Sequence, residues 1–258
     1  MLKENPLILI TNDDGITAPG ILYLIEVVKR ITTRIVVVAP DKPQSGMGHA
    51  ITMNSMLRLI PKEIDGVEAY SCSGTPVDCV KIGTVKVLDE RPDLIVSGIN
   101  HGSNSSINVI YSGTMSAALE GAIEGIPSIG FSLCNNSIDS DFEPVLDYAE
   151  TIIRHELKRP IQGISCLNVN FPSVSKELIQ GIKICRQADA IWEEIFEERN
   201  DPHGNSYYWL TGKFVNREPQ AEDTDEWALK NNFISIVPVQ SDVTNYELQD
   251  SLKTLENE

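Results

Sequence analysis

Short β-branched runs alternate with segments whose apolar positions recur every three or four residues. Residues 7–12, LILITN, form a compact apolar run that predicts a strand. A helix is predicted over residues 19–31, with Ile21, Leu24, Ile25 and Val28 at helical spacing. Residues 34–40, RIVVVAP, lack any polar alternation, as in a strand buried on both faces of a parallel sheet. Further strands are predicted at 69–73, 94–100 and 128–133, and further helices at 114–124 and 143–157. Thr75 and Pro76 supply a cap and a first helical residue for another helix. Strand and helix in this rhythm predict a Rossmann-like three-layer α/β/α fold with a mainly parallel sheet.

The rhythm changes near residue 185. Tyr207, Tyr208, Trp209 and Leu210 read as one strand of a hairpin, and residues 233–239, FISIVPV, as another strand. Trp192 and the acids Glu193, Glu194, Glu197 and Glu198 read as an exposed amphipathic face. The expected organisation is a catalytic core over 1–184 and a smaller hairpin-and-helix appendage over 185–258, packed with the core as one domain and used for oligomerisation.

Charge narrows the function. Among 258 residues, 37 acids face 21 bases, for a net charge of −16. Such a chain is a poor ligand for duplex nucleic acid, which demands basic side chains. An anionic substrate would have to be held by local donors or by a metal ion. No apolar run reaches the ~20 residues of a membrane span. The apolar run at 7–10 is too short for a secretory signal. Five cysteines, none in a C-x-x-C pair, read as reduced thiols. These features predict a cytoplasmic protein.

The unusual polar clusters fall after predicted strands, where open parallel sheets bind ligands. Asp13 and Asp14 follow the first strand. A glycine-rich loop, Gln44-Ser45-Gly46-Met47-Gly48-His49, follows the second. Asn100 and Asn104, in INHGSN, follow LIVSG. Ser112-Gly113-Thr114 opens a helix, whose free N–H groups and positive end suit a phosphate. Adjacent carboxylates repel unless a cation sits with them. Asp13, Asp14, Ser45 and Asn100 offer oxygen donors that suit magnesium, manganese or another hard divalent ion. Each cluster has a plainer reading when taken alone: Asp13-Asp14-Gly15 as a turn, Ser112-Gly113-Thr114 as a helix cap, Thr75-Pro76-x-Asp78 as a helix start. His49 and His101 could donate a proton to a leaving group, though His101 reads better as a solvent-facing polar residue.

Five ordered segments, ILITNDDGITAPG, VVAPDKPQSGMGHAIT, GTPVDCV, PDLIVSGINHGSN and YSGTMSAALEGA, resemble the stationary-phase survival protein E family of metal-dependent 5′-nucleotidases. The resemblance implies hydrolysis of nucleoside 5′-monophosphates by metal-activated water, in a homodimer or homotetramer that exchanges C-terminal elements. It implies one divalent ion per subunit, held by Asp13, Asp14, Ser45 and Asn100. It assigns phosphate binding to Asn104, Ser112, Gly113 and Thr114, with Gly46 beside them, and catalysis to Asp14 and Asp13. The family's N-x-G-x-D is here Asn104-Ser105-Ser106-Ile107-Asn108, which predicts a differently shaped loop over the site. Two other readings stand beside this one. One is a phosphatase acting through an aspartyl-phosphate; the other is a nucleotide-binding regulator without turnover.

Overall fold

The computed structural model describes residues 3–137, 139–158 and 165–257. In chain order the elements are β1 (Leu7–Thr11), α1 (Pro19–Lys29), β2 (Arg34–Pro40), β3 (Leu59–Ile64), β4 (Val67–Cys72), α2 (Pro76–Ile82), β5 (Leu94–His101), α3 (Asn108–Tyr111), α4 (Gly113–Ile123), β6 (Ser128–Leu133), α5 (Leu146–Lys158), β7 (Cys166–Phe171), β8 (Ile182–Ile184), β9 (Ala190–Asn200), β10 (Ser206–Asn216), α6 (Asp225–Lys230), β11 (Ile234–Pro238) and α7 (Tyr246–Leu252).

Nine strands form one sheet in the order β3-β4-β2-β1-β5-β6-β7-β11-β8. The pairs from β4 through β7 are parallel; β3 and β11 join antiparallel to β4 and β7. From β1 the chain builds outward through β2 to β4, then returns to lay β5 on the other side of β1. The gap between β1 and β5 is therefore the topological switch point, where such sheets bind ligands.

Successive residues of a strand face opposite sides, so a continuous apolar run feeds two cores at once. Ile8 and Ile10 of β1 pack with Ile21, Leu24 and Ile25 of α1 and with Ile152 and Ile153 of α5. Leu9 points the other way, into a cluster with Cys79 and Val80 of α2 and Ala117 of α4. The α2 start is a reciprocal capping box: the Asp78 N–H donates to Thr75 Oγ1 (3.1 Å), and the Thr75 N–H donates to Asp78 Oδ2 (2.9 Å).

The structure amends the sequence expectations at four places. The helix expected from residue 143 starts as a 3₁₀ turn, Glu143–Val145, before α5. The strand expected at 233–239 is β11, part of the main sheet. The acidic face at 193–198 is strand β9, which pairs with β10 over eleven residues in a separate ribbon. Strands β3, β7 and β8 were not anticipated.

Phe131 is fully buried and stacks on Phe171 with ring centroids 5.8 Å apart. Phe131→Ala should destabilise the protein by about 3–5 kcal/mol, read as a lowered urea midpoint at unchanged slope.

Candidate functional site

Asp13 and Asp14 leave β1 at the switch point, and Asn100 sits near the end of neighbouring β5. The N-terminus of α4 closes over them. Thr114 Oγ1 and the Thr114 backbone N–H both donate to the Asp13 carboxylate. The approach is close enough to require glycine at 113: a Cβ there would lie 2.7 Å from Asp13 Cβ. Asp13 is 4% exposed. Burial pushes its carboxyl up to about 6, and the neighbouring Asp14 charge adds to the rise against the Thr114 bonds.

Asp14 is held from the β5 side. The His101 backbone N–H donates to Asp14 Oδ2, and His101 Nδ1 lies beside the same oxygen, both at 3.2 Å. The imidazole is mostly buried and meets Phe142 edge-on, with centroids 5.0 Å apart. It therefore does not face solvent, as its sequence context suggested. Its Nε2 is buried with no hydrogen-bond partner among the described residues, as is Asn12 Oδ1. Asn100 Nδ2 donates to Gly102 O (2.8 Å), so the side-chain group it can offer a ligand is its oxygen.

Ser45 lies at the exposed tip of its loop. The preceding Gln44 N–H donates to Asp13 O (2.8 Å), which hangs the tip beside the aspartates. Gly46 is also exposed, with φ +75° and open space around its α-carbon. Ser112 is the N-cap of α4, accepting from the Met115 N–H (3.0 Å). That bond uses an acceptor site and leaves the hydroxyl hydrogen available. The Thr114 hydroxyl is committed to Asp13 instead.

Asn104 is buried in a network the sequence reading missed. Its N–H donates to Asn170 Oδ1 (2.8 Å) and its Nδ2 to Ser132 Oγ (2.7 Å). Asn168 Nδ2 donates to Asn104 O (2.8 Å). Two asparagines at alternate positions of a buried strand, CLNVNF, were the available signal. In the loop after Asn104, Ser106 takes φ +52°, a left-handed conformation that glycine adopts freely. The Asp225 carboxylate holds it there, accepting the Ser106 N–H (2.7 Å), while Ser106 Oγ donates to Ala188 O (2.8 Å).

The oxygen-rich set has the chemistry of a hard-cation site, because a buried and a half-buried carboxylate with an amide oxygen and a hydroxyl nearby have no lysine or arginine paired with them among the described residues. A doubly wound sheet with carboxylates and a helix N-terminus at its switch point belongs to the α/β ligand-binding enzymes. The comparisons specify which. The family model described as Survival protein SurE matches residues 8–194. A relative named 5′-nucleotidase SurE from Flavobacterium psychrophilum is 59% identical over 251 residues, covering 96% of this chain and 97% of the relative. One of the same name from Christiangramia forsetii is 56% identical, with 98% of each chain covered. The crystal structure of the SurE protein from Aquifex aeolicus superposes with a TM-score of 0.83 at 39% identity, covering 97% of this chain and all of that one. This chain belongs to the SurE family.

The raised Asp13 carboxyl fixes a pH dependence in chelator. Between its unfolded pKa near 4 and its folded value near 6, the native state binds the extra proton, so stability falls as pH rises through that window. Asp13→Asn removes the charge. It should stabilise the chelated protein by about 1–3 kcal/mol at pH 7 and by much less at pH 4, measured by urea unfolding at both pH values.

Proposed function

We propose that this chain hydrolyses nucleoside 5′-monophosphates to nucleoside and phosphate, aided by one hard divalent ion such as magnesium or manganese. The observation that carries the reading is the adjacent carboxylate pair at the switch point, Asp13 buried under the α4 N-terminus and Asp14 held from β5, in a chain whose relatives named 5′-nucleotidase SurE match it nearly end to end. Asp13, Asp14, Ser45 and Asn100 would hold the ion. When bound, it supplies Lewis-acid polarisation of the phosphoryl group and a lowered pKa for water.

The rest of the chemistry belongs to the protein. The Gly113 N–H and the Ser112 hydroxyl donate to the phosphate, and Asn104 closes the opposite side. Gly46 lets the loop backbone come close. Asp14 orients water and accepts its proton; His101 fixes the Oδ2 side of that carboxylate, leaving Oδ1 for this work. The net charge of −16 opposes a dianionic substrate at long range, but exposed charges are screened beyond about 8–10 Å, so these local donors decide binding.

We assign the protein to the cytoplasm; no helix among the described residues is long and apolar enough to cross a membrane. We read it as a homodimer or homotetramer joined through the chain after residue 184. The β9–β10 ribbon leaves Phe196, Tyr208, Trp209 and Leu210 each more than half exposed, and α7 does the same with Leu248. Such a patch calls for a partner surface.

Phosphate release from a panel of nucleoside 5′-monophosphates, assayed with manganese, with magnesium and with chelator, tests the activity. Release should require the ion, and Asp14→Asn should lower kcat/KM by about 10³-fold while keeping the thermal transition. Near-normal turnover by both Asp13→Asn and Asp14→Asn would defeat the reading. For assembly, Phe196 and Leu210 stand opposite each other in the ribbon. Phe196→Glu with Leu210→Glu should lower the molar mass seen by light scattering.

A further inference from the structure

An ionic cluster built on one buried carboxylate, with two exposed partners, lies outside the aspartate site. Glu120, on α4, is 4% exposed. Its Oε2 lies 2.7 Å from His49 Nε2, and its Oε1 accepts from Lys81 Nζ of α2. Burial alone would raise this carboxyl, but the bonds from Lys81 and His49 outweigh it and hold it below the ordinary value. Glu120 is thus an ionised acceptor shared by a helix and a loop. That loop is the glycine-rich one that carries Ser45.

The loop is tied at its two ends and open in the middle. On the near side the Gln44 N–H donates to Asp13 O (2.8 Å). On the far side the Gly48 N–H donates to Tyr111 O (3.2 Å), Thr75 Oγ1 to Ala50 O (2.7 Å) and the Thr52 N–H to the Asp78 carboxylate. Between them Ser45, Gly46 and Met47 are exposed. An exposed segment gains little from burial and loses about 1–2 kcal/mol of backbone entropy per ordered residue, so its conformation depends on such tethers. The His49–Glu120 contact and the Thr52–Asp78 bond are the charge-assisted ones among them, and His49 is the nearer of the two to Ser45 in the chain. Its partner Glu120 also lies on α4, the helix whose first turn grips Asp13.

We propose that His49 and Glu120, backed by Lys81, are positioning residues that hold the Ser45 loop against the aspartates and so set the affinity for the divalent ion. The proposal rests on the assignment of Ser45 as a ligand made above. His49 touches neither substrate nor ion; it acts through the loop.

The test is manganese binding to the whole protein without nucleotide, followed by electron paramagnetic resonance at fixed pH, with hydrogen exchange of residues 44–49 read in parallel. His49→Ala should weaken manganese binding about tenfold and speed exchange in the loop. His49→Gln, whose amide can still donate to Glu120, should recover most of the affinity. The His49→Ala/Ser45→Ala double variant should bind no more weakly than Ser45→Ala, because one substitution removes what the other positions. Unchanged affinity in His49→Ala, or losses that add in the double variant, would overturn the proposal while leaving the metal site in place. Manganese binding unaffected by Asp13→Asn would instead overturn the site assignment, and the proposal with it. Should His49→Ala lose its cooperative thermal transition, His49→Phe keeps a ring of similar volume without the bond and takes its place.

Discussion

The architecture turns on the ionisation of Asp13. A carboxylate at the end of a buried strand is costly, and a second carboxylate one residue later makes it costlier. A rise from 3.8 to about 6 corresponds to roughly 3 kcal/mol against the charged form, a large share of the stability of an ordinary domain. The chain tolerates this because the positive end of α4 is pressed onto the carboxylate, at a distance that only glycine at 113 allows. The helix is thereby partly spent on the protein's own anion. What remains free at its N-terminus is the Gly113 N–H and the Ser112 hydroxyl hydrogen.

The polar loops around the aspartates are exposed or irregular, yet each is tied to something rigid. The Ser45 loop is bonded to the backbone of Asp13 and to Glu120. The Asn104 loop is bonded below to Ser132 and Asn170 on strands β6 and β7, and above to α6. Asp225 is fully buried and accepts the N–H groups of Ser106, Ala188 and Glu226; Glu226 accepts from Ser105 Oγ. Burial raises both carboxyls. The C-terminal chain is therefore a structural support of the site loop as well as a carrier of apolar surface.

How much of this the sequence could reveal depends on the range of the interactions. Strands buried on both faces announce themselves, because LILI and IVVVA are unbroken apolar runs with no polar alternation. The Thr75 capping box is local and was legible for the same reason. The Ser45 loop and Asn100 could be placed near the aspartates because the fold class dictates that strand ends converge. What escaped was long-range and polar. His101 reaches Asp14 across 87 residues, and Asn170 reaches Asn104 across 66. Asn168 and Asn170, alternating in the apolar run CLNVNF, signalled a buried polar contact but not its partner. Ser106 escaped for another reason: a serine gives no hint of a left-handed backbone until the acceptor that holds it, 119 residues away, is known. Strand β11 was read into the appendage because β8, the whole β9–β10 ribbon and α6 separate it in sequence from its partner β7.

The same geometry bears on how phosphate is displaced. A carboxylate that attacks phosphorus must present a free oxygen in line with the leaving group. Asp13 has its Oδ1 bonded to Thr114 and its Cβ walled in by Gly113, so it cannot advance without lifting α4 from the sheet. Asp14 is less buried, but His101 grips its Oδ2 from both ring and backbone, a restraint that favours orienting a proton acceptor over moving a nucleophile. Water has neither restriction. It can enter from the exposed side, where Ser45 and Gly46 leave the tip of the loop open to solvent. Two immobilised carboxylates beside a solvent-accessible face are therefore better arranged for direct hydrolysis than for a covalent aspartyl-phosphate.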